Sequence, residues 1–443
     1  MVRVPPLRDR RPVVESLLAP AGSTIVCVAD HARASVLARS LAATGRAVAL
    51  AHSGETDAQR TRAWRRAAAG GCVVVGGRVA ALAPVPDLAA AVVVDDADEA
   101  LQEERVPTWH ARDVLAERAR RAGAAFTVVS AAPTVEALAM PGVQVHAPAA
   151  DVEATGWPRT LVVDRREEPP GARLLTEPLA RALRAAQGFA VCVLNRRGRF
   201  RLLACAECHG LVRWDRADER PALCGACGST RLRVLRSGVT RVGEELAALL
   251  PGRRVVDIDA ESGPLPDGAH VAVGTEAVLH RADVRRRRPV LVAYLDLDQE
   301  LFAPRYRAAV QALWLVARGA QLLAARPRRD TLLLLQTRAP DHEVVRAVAH
   351  GDPATVAAAE LERRRALGYP PFGALAELTG DDAALAAAAG ALRAAGVRVL
   401  GPGDGRALAL AAGADALAGA LAAAVRAARP AGRLRVAVDP PRV

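Results

Sequence analysis

Short apolar stretches alternate with amphipathic, Ala- and Arg-rich stretches over residues 22–138. The apolar runs have the length and the β-branched content of buried strands, whereas the stretches between them have the length of helices. Continuous apolar strands that alternate with helices are typical of a parallel sheet covered on both faces. The pattern predicts one doubly wound α/β domain, with strands at STIVCVAD, RAVALAHSG, CVVVGG, AAAVVVDDAD and AFTVVSAAP.

The same alternation returns after a stretch rich in Pro, Gly and acidic residues at about 140–178, which itself holds one strand, RTLVVDRR. Further strands are predicted at GFAVCVLNRRG, RRVVDIDA, AHVAVGTEAVL, PVLVAYLDLD and DTLLLLQTRA, and VTRVGEELAALLPG is predicted to be a helix. An Ala-rich tail then ends in the strand LRVAVDPPRV. We therefore expect two α/β lobes, residues 1–150 and 155–365, and a small C-terminal α+β domain, residues 366–443.

The charge balance of the 443-residue chain changes this picture toward a polyanionic partner, because the net charge is +12. Nucleic acid is the commonest such partner. All 60 basic residues are arginine, so part of the excess has another explanation, the exchange of Lys for Arg in a GC-rich genome. The chain has no apolar signal core near its start and no run of 18 uncharged apolar residues, so we expect a cytoplasmic, nucleoid-associated protein.

The lack of lysine also bears on ATP chemistry. A P-loop has the pattern G-x-x-x-x-G-K-[ST], in which the Lys reaches the β- and γ-phosphates of the nucleotide. The chain contains neither this pattern nor a lysine. Hydrolysis of ATP by P-loop chemistry is therefore disfavoured.

Four of the seven cysteines form two pairs with the spacing C-x2-C-x15-C-x2-C, namely Cys205, Cys208, Cys224 and Cys227. Two such turns supply the four thiolates of a closed tetrahedral zinc site, which leaves no position for water or substrate. His209 is an additional candidate ligand, although four cysteines already fill the coordination shell. The alternatives are a redox-active C-x-x-C pair or two disulfides.

The other three cysteines lie singly inside apolar runs, at Cys27, Cys72 and Cys192. A thiol in such a run behaves as a small buried hydrophobic group. We therefore assign no chemistry to them.

A series of motifs follows in a fixed order along the chain. They are AHSG at 51–54 followed by Trp64, VVGGRVAALAPVPDLAAAVVVDDAD, WHARDV, SAAPTVEAL, LNRRGR before the cysteine pairs, VGTEAVL, LDLDQELFAPRYRAA, LLLLQT, GYPPFG and VAVDP. Each piece is weak alone, but together they resemble the PriA (primosomal protein N′) replication-restart family over most of the chain. The resemblance implies two RecA-like lobes of the P-loop helicase type, with a small zinc-binding insertion at 204–230 in the second lobe.

The zinc site departs from the pattern of that family, whose members usually carry eight cysteines arranged as two nested sites. Here one C-x-x-C pair stands on each side of HGLVRWDRADERPAL. The comparison implies that the outer site is retained and the inner one deleted. We therefore expect one structural Zn²⁺ per chain.

The helicase motifs depart further. Residues 1–23 stand where the Walker A loop of the family is expected, and they contain no P-loop. The Walker B sequence D-E-E-H is replaced by Asp95, Asp96, Ala97 and Asp98. Asp95, Asp96 and Asp98 either form a solvated strand end that caps the next helix or retain a metal-binding role.

The motif that resembles Q-x-x-G-R-x-G-R reads VARGAQLLAARPRR here, and Arg318 is its only candidate for the arginine that stabilises transferring phosphate. Phosphoryl transfer depends on all of these parts acting together. Their loss predicts a degenerate superfamily 2 helicase without catalytic residues, to which ATP and Mg²⁺ bind poorly or not at all. The N-terminal DNA-end-binding domain of the family is also missing, so we expect either a misplaced start or the loss of that module.

The resemblance implies DNA-binding replication restart, in which the protein recognises branched or single-stranded DNA at stalled forks and scaffolds primosome assembly with single-stranded-DNA-binding proteins. Guanidinium groups bind phosphates without sequence preference. The candidate DNA contacts are Arg196, Arg197, Arg199, Arg285 and Arg286. The alternatives are an active ATP-dependent 3′-5′ helicase and a protein-interaction remnant without DNA affinity.

Overall fold

The computed structural model describes residues 1–169, 172–195, 201–205, 207–208, 211–214, 224, 226–229, 232–236, 239–259, 262–403 and 405–443. The strands and helices predicted from the apolar runs are confirmed. The chain forms two parallel six-stranded sheets, a three-stranded sheet and an antiparallel four-stranded sheet. It is a mixed α/β protein with two RecA-like lobes.

The first lobe is a parallel sheet with the strand order β1-β8-β5-β2-β4-β3. A separate antiparallel pair, β6 and β7, lies outside it. The central strands are apolar and buried on both faces, because helices and a 3-10 turn cover each side. The strands are β1 Val2–Arg3, β2 Ser23–Val28, β3 Val48–Ala51, β4 Val73–Gly76, β5 Leu88–Val94, β6 Gln102–Glu103, β7 Trp109–His110 and β8 Ala125–Ser130.

The helices of the first lobe begin at polar residues that cap them. Asp30 accepts a hydrogen bond from the backbone N–H of Arg33, and Thr56 forms a capping box with Gln59. The helices are α1 Arg11–Ser16, α2 His31–Ala43, α3 Asp57–Ala68, α4 Ala111–Ala122, α5 Val135–Leu138 and α6 Ala150–Thr155, with 3-10 turns at Arg78–Leu82 and Glu99–Leu101.

The second lobe is a parallel sheet with the order β14-β15-β10-β16-β17-β9. The antiparallel strands β11, β12 and β13 form a separate sheet that carries the cysteines. The strands are β9 Thr160–Asp164, β10 Ala190–Val193, β11 Arg201–Cys205, β12 Leu211–Trp214, β13 Leu232–Arg236, β14 Val255–Ile258, β15 Val271–Gly274, β16 Leu291–Tyr294 and β17 Leu332–Thr337.

Helix α12 is the most buried helix of the second lobe, with twelve consecutive or near-consecutive buried residues from Val310 to Leu322. Residues 308–325 are the one helical stretch of the described chain that is long and apolar enough to cross a membrane, and 72% of it is buried inside the protein, as in a core helix. The helices are α7 Glu177–Ala185, α8 Val239–Leu249, α9 Ala277–His280, α10 Ala282–Arg286, α11 Asp298–Leu301, α12 Ala308–Leu322, α13 Glu343–His350 and α14 Pro353–Leu367, with 3-10 turns at Leu323–Ala325 and Arg328–Asp330.

The C-terminal part is an antiparallel sheet with the order β19-β20-β18-β21, covered by two helices on a core rich in Ala and Leu. Its elements are β18 Ala374–Gly380, α15 Asp382–Ala394, β19 Arg398–Gly403, β20 Arg406–Ala411, α16 Ala414–Ala428 and β21 Leu434–Val438. The boundaries at 150, 155 and 366 stay predictions.

One buried carboxylate joins all three parts. Glu136 of α5 accepts hydrogen bonds from Arg307 Nε at 2.9 Å and from Arg364 Nη1 at 2.8 Å. Arg307 also donates to Asp439, which follows β21, at 2.7 and 2.8 Å. Burial alone would raise the pKa of Glu136, but Arg307 and Arg364 outweigh it and hold this pKa well below its ordinary value.

Candidate functional site

The four cysteines of the C-x2-C-x15-C-x2-C pattern meet at one point. Their Sγ atoms all lie within 4.8 Å of one another, and the closest cross-pair distances are 3.5 Å from Cys205 to Cys227 and 3.7 Å from Cys208 to Cys224. Tetrahedral zinc with Zn–S bonds of about 2.3 Å requires sulfur atoms about 3.8 Å apart. The spacing therefore fits a zinc ion, whereas all four cysteines are free of disulfide bonds.

Backbone N–H groups prepare this cluster for metal binding. The N–H of Cys208 and that of Glu207 donate to Cys205 Sγ and lower the pKa of Cys205 to about 6. The N–H of Ala226 likewise lowers the pKa of Cys224. A thiolate is the form that binds metal. His209 lies outside the described residues.

The predicted DNA contacts fall in two places. Arg196, Arg197 and Arg199 lie outside the described residues. On α10, Arg286 is exposed, whereas Arg285 Nη1 donates to Asp30 Oδ2 of the first lobe at 3.3 Å. The role of these arginines in DNA binding stays a prediction.

Asp95, Asp96 and Asp98 follow β5, and all three are buried. The alternative of a solvated strand end is wrong in this respect, because α12 of the second lobe and Arg112 of the first cover these carboxylates. Its capping part is confirmed, since Asp98 accepts a hydrogen bond from the N–H of Ala100 in the following 3-10 turn. Burial raises the pKa of Asp96 and of Asp98.

Asp95 faces cations and an amide rather than open solvent. Its Oδ1 lies 3.4 Å from Arg10 Nη2, and its Oδ2 lies 3.7 Å from Arg33 Nη1. Gln321 Nε2 of α12 donates to the same Oδ2 at 3.4 Å. The backbone of Asp95 is left-handed, with a φ of 54°, a conformation that non-glycine residues adopt only where surrounding contacts hold it.

Arg10 comes from a strand–loop–helix unit that the apolar pattern misses. Strand β1 pairs with β8 at the edge of the sheet, and α1 follows seven residues later with Pro12 in its first turn. The loop between them contains Pro5 and Pro6 and no glycine. Proline has no N–H to donate, so this loop is chemically unlike a Gly-rich loop that cradles phosphate with backbone N–H groups.

A buried carboxylate of the first lobe binds two arginines of the second. Arg318 Nη2 donates to Asp30 Oδ2 at 2.8 Å, beside the contact from Arg285. Burial alone would raise the pKa of Asp30, but Arg318 and Arg285 hold it well below its ordinary value. Arg33 Nη1 also donates to Gln321 Oε1 at 2.5 Å. We call this set the interlobe charge cluster: Arg10, Asp30, Arg33, Asp95, Arg285, Arg318 and Gln321.

Sequence reasoning identified Asp95, Arg285 and Arg318 in this cluster but missed its other members. Asp30 had a usable signal, because it is a polar residue directly after the apolar strand β2. The carboxyl ends of parallel strands are where ligands and polar side chains of α/β proteins gather. Arg10 lay in a stretch without helical or strand periodicity and gave no such signal.

The relatives of the chain fit this architecture. Replication restart protein PriA of Treponema pallidum is 30% identical over 398 residues, which cover 81% of this chain and 60% of that protein. Replication restart protein PriA of Bacillus subtilis is 26% identical over 411 residues, 83% of this chain and 50% of that protein. The chain belongs to the PriA family.

The match is to part of each family member, since the chain spans about half the length of the relatives it matches. No protein-family model matches the chain. Among solved structures, RecG bound to a three-way DNA junction is similar over 78% of this chain and 43% of that one, with 12% identity and a TM-score of 0.40.

Proposed function

We propose that this member of the PriA family is a DNA-binding replication-restart factor that recognises branched DNA and scaffolds primosome assembly without unwinding it. Family membership supports the replication-restart part of the proposal. The interlobe charge cluster supports the part that excludes ATP-driven unwinding. Its central observation is that Arg10 and Gln321 both contact Asp95.

The argument rests on what ATP hydrolysis requires. Phosphates need backbone N–H donors and a cation free to reach them, and the Walker B acid needs to be free to support Mg²⁺. Pro5 and Pro6 remove donors from the loop after β1, and Asp95 is surrounded by Arg10, Arg33 and Gln321. Arg318, the candidate for the phosphate-stabilising arginine, is bound to Asp30.

The zinc site has a structural role in this proposal. Cys205, Cys208, Cys224 and Cys227 would hold one Zn²⁺, which would fix the three-stranded sheet of β11, β12 and β13. A closed four-thiolate shell supplies folding free energy rather than reactive chemistry. The partners are branched or single-stranded DNA and, as the family implies, primosome and single-stranded-DNA-binding proteins in the nucleoid.

The test is fluorescence anisotropy with a labelled forked duplex, combined with a DNA-stimulated ATPase assay on the same preparation. We expect fork binding at 50 mM salt that weakens as salt rises, and no ATPase above the background of a no-protein blank. The PriA protein of Bacillus subtilis is the matched comparison in both assays. Absence of fork binding at 50 mM salt would contradict the proposal, and so would DNA-stimulated ATPase activity.

A further inference from the structure

The amino ends of three neighbouring strands in the second lobe carry exposed arginines. All strands of this sheet are parallel, so their amino ends lie along one edge, opposite the edge that holds most polar groups of an α/β site. In the sheet order, β16, β17 and β9 are adjacent, and the pairs Leu291–Leu332 and Leu333–Thr160 set their amino ends level. We call the five exposed residues just before these strands the amino-edge arginines: Arg159, Arg288, Arg326, Arg328 and Arg329.

These arginines are braced by backbone carbonyl groups. Arg288 Nη2 donates to the carbonyl of Ala325, and Arg326 Nε donates back to the carbonyl of Arg288 at 3.4 Å. Arg159 Nη1 donates to the carbonyl of Arg329 at 3.3 Å. Arg328 Nε donates to the carbonyl of Trp157 at 2.8 Å. The three segments are therefore interlocked through their guanidinium groups.

A carbonyl orients a guanidinium but does not neutralise it. Among the described residues, Asp330 is the one carboxylate within 4 Å of the five guanidinium groups, and it lies 3.7 Å from Arg329. Arg285 and Arg318, at the contact with the first lobe, instead share the carboxylate of Asp30. The amino edge thus keeps an excess positive charge that the interlobe contact does not.

We propose that the amino-edge arginines bind the phosphate backbone of double-stranded DNA. Three adjacent strands span about 10 Å, and that length of duplex axis carries about six phosphate charges. Guanidinium groups held by carbonyls keep N–H donors in a fixed fork, which suits bidentate contact with phosphate. The inference rests on the proposed DNA-binding function and adds a contact surface to it.

Duplex is favoured over single-stranded DNA by what the edge lacks. Single-stranded binding relies on aromatic side chains on which bases stack. Trp157, the aromatic residue of these segments, is buried with 1% of its surface exposed. The edge therefore offers charge without a stacking surface, which matches a backbone contact that does not read sequence.

The test is the salt dependence of duplex binding, measured by anisotropy with a 30-base-pair duplex between 50 and 200 mM KCl. The variant combines Arg288→Gln, Arg326→Gln and Arg329→Gln. Each lost phosphate contact lowers the slope of log K against log salt by about 0.9. Three lost contacts shrink the loss of affinity over this fourfold salt range by about 40-fold.

The matched control removes the same charge from exposed arginines that are paired with carboxylates, through Arg120→Gln, Arg121→Gln and Arg365→Gln. We expect its slope to stay at the wild-type value. Lysine at positions 288, 326 and 329 keeps the charge and is expected to restore most of the slope. Circular dichroism melting checks the fold of each variant, and if the triple Gln variant does not fold, Arg329→Gln alone is expected to lower the slope by about 0.9.

An unchanged slope in the folded Gln variant would overturn the inference and leave the proposed function standing, and so would an equal change in the control. Polyglutamate that binds as tightly as duplex at equal salt, and only to the wild-type edge, would assign the surface to an acidic protein and also overturn it. Failure of the wild-type protein to bind duplex or fork at 50 mM salt would overturn both.

Discussion

Arg318 of the second lobe donates a hydrogen bond of 2.8 Å to Asp30 of the first, and both side chains are buried, with 2% and 7% of their surfaces exposed. The two residues are 288 positions apart in the chain. In the helicase pattern that the chain resembles, an arginine near this position faces a phosphate group. Here the lobes are joined by an ion pair that needs no nucleotide.

Replacement of Asp30 by Asn is expected to destabilise the protein strongly. The change leaves Arg318 and Arg285 without their shared carboxylate, and loss of one partner from a buried ion pair costs about 3–5 kcal/mol. Urea unfolding followed by circular dichroism measures the free energy of unfolding. The control Arg120→Gln breaks an exposed pair with Glu117 and is expected to cost less than about 1 kcal/mol. Equal costs for the two variants would contradict the assignment.

The stability of the protein is expected to fall in acid. Arginines hold the pKa of Asp30 and of Glu136 below the ordinary values, against the effect of burial. A carboxyl group whose pKa is lower in the folded state stabilises the fold above its unfolded pKa, about 4, and this stabilisation is lost as pH falls toward the folded pKa. Unfolding measured at pH 7, 5, 4 and 3 tests this. The difference between the wild type and Asp30→Asn is expected to be largest at pH 7 and to shrink below about pH 4, and a difference that grows in acid would contradict it.

Metal analysis of the purified protein is expected to give one zinc per chain. Cys208→Ser removes one thiolate from a cluster whose sulfur atoms lie within 4.8 Å and is expected to reduce zinc content severalfold. The control Cys72→Ala removes a buried thiol on β4's approach, outside the cluster, and is expected to retain one zinc. Two equivalents of zinc in the wild type, or full zinc content in Cys208→Ser, would contradict the single-site prediction.

Magnesium ATP is expected to leave the melting temperature unchanged. A nucleotide present at 100 times its Kd stabilises a folded protein by about 2.7 kcal/mol, which corresponds to a shift of several degrees. Arg10 and Gln321 occupy the surroundings of Asp95, so no such shift is expected at 5 mM ATP. A reproducible shift with Mg²⁺ and ATP that is absent with Mg²⁺ alone would show that the cleft accepts nucleotide.

The apolar pattern predicted the parallel strands well because each one is buried on both faces and therefore continuously hydrophobic, as in β2 and β5. It missed β1 because two residues are too short for any periodicity. The cysteine cluster was predictable because local turns bring each pair together. Its two halves then needed only one closure.

The interlobe charge cluster could not be predicted in the same way. Its contacts join residues such as Arg33 and Gln321, which are distant in sequence. A charged residue after a strand looks the same in sequence whether it faces solvent or a second lobe. The expected solvation of Asp95, Asp96 and Asp98 failed for this reason, since α12 and Arg112 cover them only in the folded chain.

The shared carboxylate of Glu136 has a consequence for how the protein comes apart. It binds Arg307 and Arg364 of the second lobe, and Arg307 also binds Asp439 beyond β21. Departure of any one part would strand buried charges in the remaining two, which is energetically costly. The lobes and the C-terminal sheet should therefore melt as a single calorimetric transition, and limited proteolysis should release no stably folded single lobe.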